Sequence, residues 1–198
     1  MDRIVVCASG EGTGFEALVQ ASRRAELQAE IAGLIVNRAE VGAVARAERL
    51  GVPYKVLSLK DFPDRATRDA AMAAQLQDWK AHWVALAGFL ALVGPQVLRH
   101  FPQRIVNSHP ALLPKFGGPG MYGRNVHAAV IAAGENETGV TIHLVDAEYD
   151  RGRILAQDRI AVEKGDTAAT LEARVKAREV LFYPRVLNDL VTGRITSG

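Results

Sequence analysis

The sequence has one cysteine, nearly balanced charge and no long hydrophobic run, and each absence excludes a class of protein. The lone Cys7 cannot form a disulfide within the chain or a multi-cysteine metal site. Its neighbours in I-V-V-C-A-S favour a buried, inert thiol. The formal charge of +2 is too small to indicate a nucleic-acid or membrane surface. No apolar run approaches the ~20 residues that span a bilayer, and M-D-R-I-V-V lacks the pattern of a signal peptide. We therefore expect a cytoplasmic protein without nucleic-acid or membrane partners.

Short apolar segments alternate with longer helical patterns along the chain. The short segments predict strands at 3–8, 31–37, 54–57, 83–87, 104–107, 140–145 and 154–162. Four helical patterns accompany these strands. One starts near Phe15, a second ends at Gly51 with a glycine cap, a third precedes the fourth strand, and the last closes the chain after a Thr167 N-cap.

The order of these segments predicts the fold class. Strands that are apolar throughout are typical of a parallel sheet buried on both faces, and repeated strand–helix–strand units indicate a doubly wound, Rossmann-like α/β domain. The last two strands are joined by a short polar connection, which favours an antiparallel hairpin at one edge of the sheet. Because no linker or repeat interrupts the pattern, we expect one domain over 1–198.

A glycine-rich loop, C-A-S-G-E-G-T-G-F, follows the first strand and opens the first helix. Glycines at 10, 12 and 14 permit a tight turn that presents N–H groups at the positive end of that helix, where a phosphate can bind. The spacing matches neither the P-loop nor G-x-G-x-x-G. A purely structural turn is the alternative, but ligands bind at the carboxyl ends of strands in open α/β sheets. The loop therefore favours a small phosphate-bearing ligand over a whole dinucleotide.

The segment N-S-H-P-A-L-L-P, which ends the fifth strand, contains two candidate catalytic residues. Asn107 and His109 stand two apart and therefore project from the same face of an extended strand. An amide can donate to an oxyanion and an imidazole can move a proton, which suits acyl transfer. A third group must orient the imidazole, and Asp150 in D-A-E-Y-D-R-G is the candidate. The alternative is that Asn107 caps a turn and His109 is a structural hydrogen-bonding residue.

Two further histidines are weaker candidates. His143 in T-I-H-L-V either faces the site and contacts the catalytic residues without touching substrate, or packs in the core. For His127, on a helical stretch, a structural role is slightly favoured. No histidine pair has metal-binding spacing such as H-E-x-x-H, so the sequence predicts no metal.

Five motifs occur in the order found in a known family. They are S-G-E-G-T-G, A-G-F-L, N-S-H-P-A-L-L-P-K-F, T-I-H-L-V-D-x-x-x-D-R-G and R-V-K-A-R-E-V-L-F-Y-P. Together they resemble the formyltransferase superfamily, and within it the folate-dependent phosphoribosylglycinamide formyltransferases of purine synthesis. The resemblance covers essentially the whole chain.

The resemblance implies a role for each site residue. Asn107, His109 and Asp150 would be catalytic and would stabilise a tetrahedral intermediate of direct formyl transfer, with Asp150 favouring a protonated His109. The acceptor, glycinamide ribonucleotide, would contact Gly12, Thr13, Gly14, Lys176 and Glu179. The co-substrate 10-formyltetrahydrofolate would contact Arg65, Leu90, Ala91, Leu92, Val93, Asn107, Asp146, Ala147, Glu148 and Tyr149. His143 would be a supporting residue, and the protein would be a monomer or homodimer.

Some positions depart from the family pattern. The family loop usually reads S-G-x-G-S-N, where this chain has Thr13 and Gly14, so one polar contact to the acceptor is in doubt. A basic residue often follows A-G-F, where Ala91 stands here, so a contact to the folate tail is in doubt as well.

Four other functions compete with this prediction. Formyltransferases that act on amino-sugar nucleotides tend to be longer chains. Methionyl-tRNA formyltransferase and formyltetrahydrofolate hydrolase, which passes the formyl group to water, each carry a further domain for which 198 residues leave no room. A binding module without catalysis would not need Asn107, His109 and Asp150 together.

Overall fold

In a computed structural model, which describes residues 1–197, the chain forms seven strands and six α-helices. The strands are β1 (Asp2–Ala8), β2 (Ala29–Val36), β3 (Tyr54–Val56), β4 (Trp83–Leu86), β5 (Ile105–His109), β6 (Glu137–Leu144) and β7 (Ile154–Ala161). The helices are α1 (Thr13–Arg23), α2 (Gly42–Leu50), α3 (Arg65–Asp78), α4 (Pro95–His100), α5 (Arg124–Ala132) and α6 (Ala168–Val191).

The strands form one sheet in the order β3-β2-β1-β4-β5-β6-β7. The pairs among β1 to β5 are parallel, whereas β6 is antiparallel to both β5 and β7. The predicted fold class, a mainly parallel doubly wound sheet with an antiparallel edge, is confirmed. The chain winds outward from β1 to β3 and then crosses back to β4, which creates a switch point between β1 and β4 where such sheets bind ligands.

Two details of the elements differ from prediction. β5 continues to His109 instead of ending at Asn107, because Asn107, Ser108 and His109 pair with His143, Ile142 and Thr141 of β6. Pro110 has no N–H group to extend this pairing. The short helix α4 was not predicted, since its six residues are too few to show a helical period.

Hydrophobic residues of β1 alternate between two cores. Ile4 and Val6 pack with α1, α2, α5 and α6 on one face of the sheet, whereas Val5 and Cys7 pack with α3 and α4 on the other. Cys7 is fully buried, and burial raises the pKa of its thiol. No helix within residues 1–197 has the length and apolar character to cross a membrane.

The final helix has a capped start and is fixed to the sheet through Tyr183. Thr167 caps α6, with its side chain accepting from the Thr170 N–H and the Thr170 side chain accepting in return from the Thr167 N–H, a capping box. Further along, the single proton of the buried Tyr183 hydroxyl is shared between the carbonyl oxygens of Val106 at 2.9 Å and Leu86 at 3.2 Å. This contact holds one face of α6 beside the carboxyl ends of β4 and β5.

Candidate active site

A cavity of about 550 Å³ opens at the carboxyl ends of β1, β4 and β5. Its walls are the glycine loop after β1, the segment after β4, the end of β5, the loop before α5, the connection after β6 and one face of α6. The cavity therefore lies at the topological switch point, where the sheet order predicts a ligand site.

Asn107, His109 and Asp150 meet in this cavity. β5 carries the first two, and Asp150 Oδ2 lies 3.6 Å from His109 Nδ1. The Gly118 N–H donates to the same carboxylate oxygen at 2.9 Å. The sequence prediction that Asp150 faces the imidazole agrees with this geometry.

The protonation of His109 is set by two opposing influences. Burial, the larger one, lowers its pKa, whereas the Asp150 carboxylate raises it. The net direction is downward, so burial favours the neutral imidazole while Asp150 favours the imidazolium. Nε2 lies 2.8 Å from the Phe116 carbonyl oxygen, which can only accept, so Nε2 carries the proton. Only the imidazolium could donate both to Phe116 and to Asp150.

Asp150 is held ionised by its neighbours. Burial alone would raise its pKa, but contacts with His143, the Gly118 N–H and His109 outweigh burial and lower it. The carboxylate is therefore a fixed negative charge at neutral pH, and that charge favours the imidazolium whenever negative charge develops nearby.

His143 contacts Asn107 directly. Its Nδ1 lies 2.8 Å from the Leu144 carbonyl oxygen, to which it donates, so a neutral ring has its lone pair on Nε2. That nitrogen lies 3.0 Å from Asn107 Nδ2 and 3.5 Å from Asp150 Oδ1, and in the neutral ring it accepts from the amide. This contact orients the amide and leaves the second N–H of Asn107 for the cavity.

The glycine loop meets the cavity where α1 begins. Gly12 has φ +74°, and a side chain there would lie 2.7 Å from the Cα atom of Ala43, so only glycine fits. Because α1 starts at Thr13, the N–H groups of Thr13 and Gly14 lack partners within the helix. All three residues line the cavity, which suits the predicted phosphate site.

One face of α6 brings charge to the cavity wall. Lys176 and Glu179, which the resemblance assigned to the acceptor, line the wall, and so does Glu172, which the sequence reasoning missed. Glu172 pairs with Lys176 at 2.7 Å and with Arg124 of α5 at 3.1 Å. The spacing 172, 176 and 179 is a helical stripe that could have revealed it.

Glu179 has an unpredicted partner in Ser108, whose hydroxyl donates to Glu179 Oε1 at 2.5 Å. Burial raises the pKa of Glu179, and the Ser108 bond and the Lys176 charge oppose that shift. No sequence signal distinguished Ser108, because it stands between two stronger candidates on the strand.

The segment after β4 and the connection after β6 form a more apolar and more exposed part of the wall. The family resemblance assigned to the folate seven residues that line this part of the wall: Leu90, Ala91, Leu92, Val93, Asp146, Glu148 and Tyr149. Leu90, Leu92, Tyr122 and Tyr149 are exposed by 44–51%, which is unusual for apolar side chains grouped at a cavity mouth.

Two predicted folate contacts lie outside the cavity wall. Arg65 is exposed at the start of α3, a helix that packs on the other face of the sheet, and Ala147 is exposed in the connection after β6.

Within the described part of the chain, no three His, Cys, Asp or Glu side chains group as a metal site would require.

Comparison with known proteins places the chain in a family. Residues 2–187 match the formyl transferase family. The chain is 39% identical over 194 residues to the chloroplastic phosphoribosylglycinamide formyltransferase of Vigna unguiculata, covering 98% of this chain and 62% of that protein. It is 33% identical over 195 residues to the phosphoribosylglycinamide formyltransferase of Haemophilus influenzae, covering 98% of this chain and 90% of that protein.

A solved structure agrees with the sequence relatives. The crystal structure of glycinamide ribonucleotide transformylase 1 from Symbiobacterium toebii superposes with a TM-score of 0.93 at 35% identity, over 98% of this chain and 89% of that one. The chain therefore belongs to the phosphoribosylglycinamide formyltransferase family of formyl transferases.

Proposed function

We propose that the protein transfers the formyl group of 10-formyltetrahydrofolate to the amine of N1-(5-phospho-D-ribosyl)glycinamide in purine biosynthesis, in the cytoplasm. The observation that carries this proposal is the convergence of Asn107, His109 and Asp150 between a glycine loop and an apolar cavity mouth. Family membership and relatives named for this activity support it.

The acceptor occupies the polar end of the cavity in this proposal. Its phosphate binds the free N–H groups of Thr13 and Gly14 at the positive end of α1. Lys176 adds a positive charge from α6, and the Glu179 carboxylate accepts from hydroxyl groups of the ribose. The amine then points toward His109.

The folate occupies the apolar end. Its pterin packs along the segment from Leu90 to Val93 and against the connection from Asp146 to Tyr149, which covers the exposed leucines at the mouth. Burying this apolar surface stabilises the complex by about 25 cal/mol per Å². Arg65 lies outside the wall, so a contact to the folate tail would require that tail to extend beyond the cavity.

The reaction is a direct displacement at the formyl carbon. The glycinamide nitrogen attacks that carbon, and the formyl oxygen becomes negative in a tetrahedral intermediate. The free N–H of Asn107 and the Nε2–H of His109, released from Phe116, donate to this oxygen. The C–N10 bond then breaks, N10 takes up the proton that the attacking nitrogen loses, and tetrahydrofolate leaves.

A spectrophotometric assay of folate deformylation tests the proposal. Purified protein should deformylate 10-formyltetrahydrofolate only when glycinamide ribonucleotide is present. Deformylation without any amine would assign hydrolysis instead, and no reaction under either condition would refute the proposed transfer.

A further inference from the structure

His127 is a buried polar residue that the proposed chemistry leaves unused. It is the fourth residue of α5, is 1% exposed and contributes to the cavity wall. Its Nδ1 is buried and has no hydrogen-bond partner among the residues that the structure describes. An unpaired buried nitrogen of this kind destabilises a protein, and native structures contain few of them.

The position of the ring indicates which part of a ligand it meets. The charges that act on it are those of Glu172 and Lys176 on α6 and of His109 on β5. In the proposed function, His109 faces the reacting amine and Lys176 faces the phosphate. The part of the acceptor between the amine and the phosphate is the sugar.

The charge state of the ring suits a hydroxyl group. Burial lowers the pKa of His127; Glu172 opposes this shift, whereas Lys176 and His109 reinforce it. At neutral pH the ring is therefore uncharged, with one N–H donor and one lone pair. A sugar hydroxyl, which both donates and accepts, complements such a ring better than a phosphate does.

We propose that His127 is an acceptor-binding residue whose imidazole hydrogen-bonds a hydroxyl group of the acceptor's sugar. This inference rests on the proposed function and names a contact that the family motifs did not indicate.

Binding of ribose 5-phosphate, measured by calorimetry and compared with binding of inorganic phosphate, tests the contact directly. His127→Phe should weaken ribose 5-phosphate binding by about three- to tenfold, the value of one hydrogen bond, and leave phosphate binding as in the wild type. In the formyl-transfer assay, the KM for glycinamide ribonucleotide should rise by more than kcat falls. His127→Asn, which keeps a polar group near the position of Nδ1, should restore part of the affinity.

The thermal midpoint of unfolding distinguishes a loss of ligand affinity from a loss of stability. Because His127→Phe removes an unpaired buried nitrogen, its thermal midpoint should stay the same or rise while affinity falls. The matched control is Val130→Ala on the same helix, a core residue outside the cavity wall. That change should lower the thermal midpoint and leave the affinity for ribose 5-phosphate unchanged.

Other results would overturn the His127 contact, its assignment to the sugar, or the proposed function. Wild-type affinity for ribose 5-phosphate in folded His127→Phe, or in His127→Leu should the first variant not fold, overturns the inference. Equal weakening of phosphate binding overturns its assignment to the sugar. If wild-type protein transfers no formyl group yet binds ribose 5-phosphate through His127, the proposed function fails while the contact stands.

Discussion

Asp150 combines an uncommon backbone conformation with a central position among ionisable groups. Its φ of +54° lies in the left-handed region, which aspartate enters more readily than most residues. In this conformation the carboxylate lies 3.6 Å from His109 Nδ1 and 3.5 Å from His143 Nε2. A single backbone conformation thus places one carboxylate beside both rings.

Replacing Asp150 by asparagine should remove the charge and keep the shape. Without the carboxylate, the pKa of His109 falls further, so the imidazolium forms less readily and kcat should fall by about 10²-fold. Circular dichroism should show an intact fold, and Asp158→Asn on β7, outside the cavity wall, serves as the matched control. Unchanged turnover in folded Asp150→Asn would remove this residue from the mechanism.

His143 should act by positioning Asn107. His143→Phe removes the acceptor for the amide, and we expect kcat to fall by about five- to tenfold, the value of one hydrogen bond. His143→Gln supplies an amide oxygen that can accept from Asn107, so it should retain more activity than the phenylalanine variant. Equal losses in the two variants would indicate that His143 only fills space.

At the residue scale, the sequence indicates shared positions where residues have a fixed spacing on one element. Asn107 and His109 could be recognised because two residues on one strand share a face. Glu172 and His127 were missed or judged structural, since their proximity depends on how α5 packs against α6. Arg65 and Ala147 were assigned from the resemblance alone, and the structure places them outside the cavity wall.

At the scale of elements, α6 connects stability to the site. The helix carries Lys176 and Glu179 into the cavity, and its start depends on the Thr167 capping box. The strands were predicted well because buried strands are apolar throughout. The antiparallel pairing of β5 with β6 was not foreseen, because pairing across the sheet leaves no mark in the local sequence.

Thr167→Ala should lower the free energy of unfolding by about 0.5–2 kcal/mol, since the first turn of α6 loses its cap. Urea denaturation measures this change. Thr167→Ser keeps the capping oxygen and should remain close to the wild type. A threonine-to-alanine variant as stable as the serine variant would show that the cap contributes nothing.

At the scale of the whole molecule, buried histidines make stability depend on pH. Burial lowers the pKa of His109 and His127 in the folded protein, so the unfolded chain takes up protons first as the pH falls. Stability should therefore decrease between about pH 7.5 and 5.5, around the ordinary histidine pKa. Glu179 changes stability in the opposite direction as the pH falls, because burial raises its pKa and the folded state takes up its proton first.

Urea denaturation of two variants, at about pH 7.5 and at about pH 5.5, separates these contributions. His127→Phe should lose less stability on acidification than the wild type, because one proton uptake site is gone. Glu179→Gln should lose more at any pH where only the folded state binds that proton, since the opposing contribution is removed. The same loss in all three proteins would contradict this account of the pH dependence.

Because Cys7 is buried, the rate at which it is alkylated reports how often the protein unfolds. The chain has one cysteine, and it lies on β1, which is hydrogen-bonded to β2 on one side and β4 on the other. A thiol there, with its raised pKa, meets an alkylating reagent only after the centre of the sheet separates. The rate of alkylation then counts opening events without any introduced label, and a bound acceptor should slow that rate in proportion to 1 + [L]/Kd.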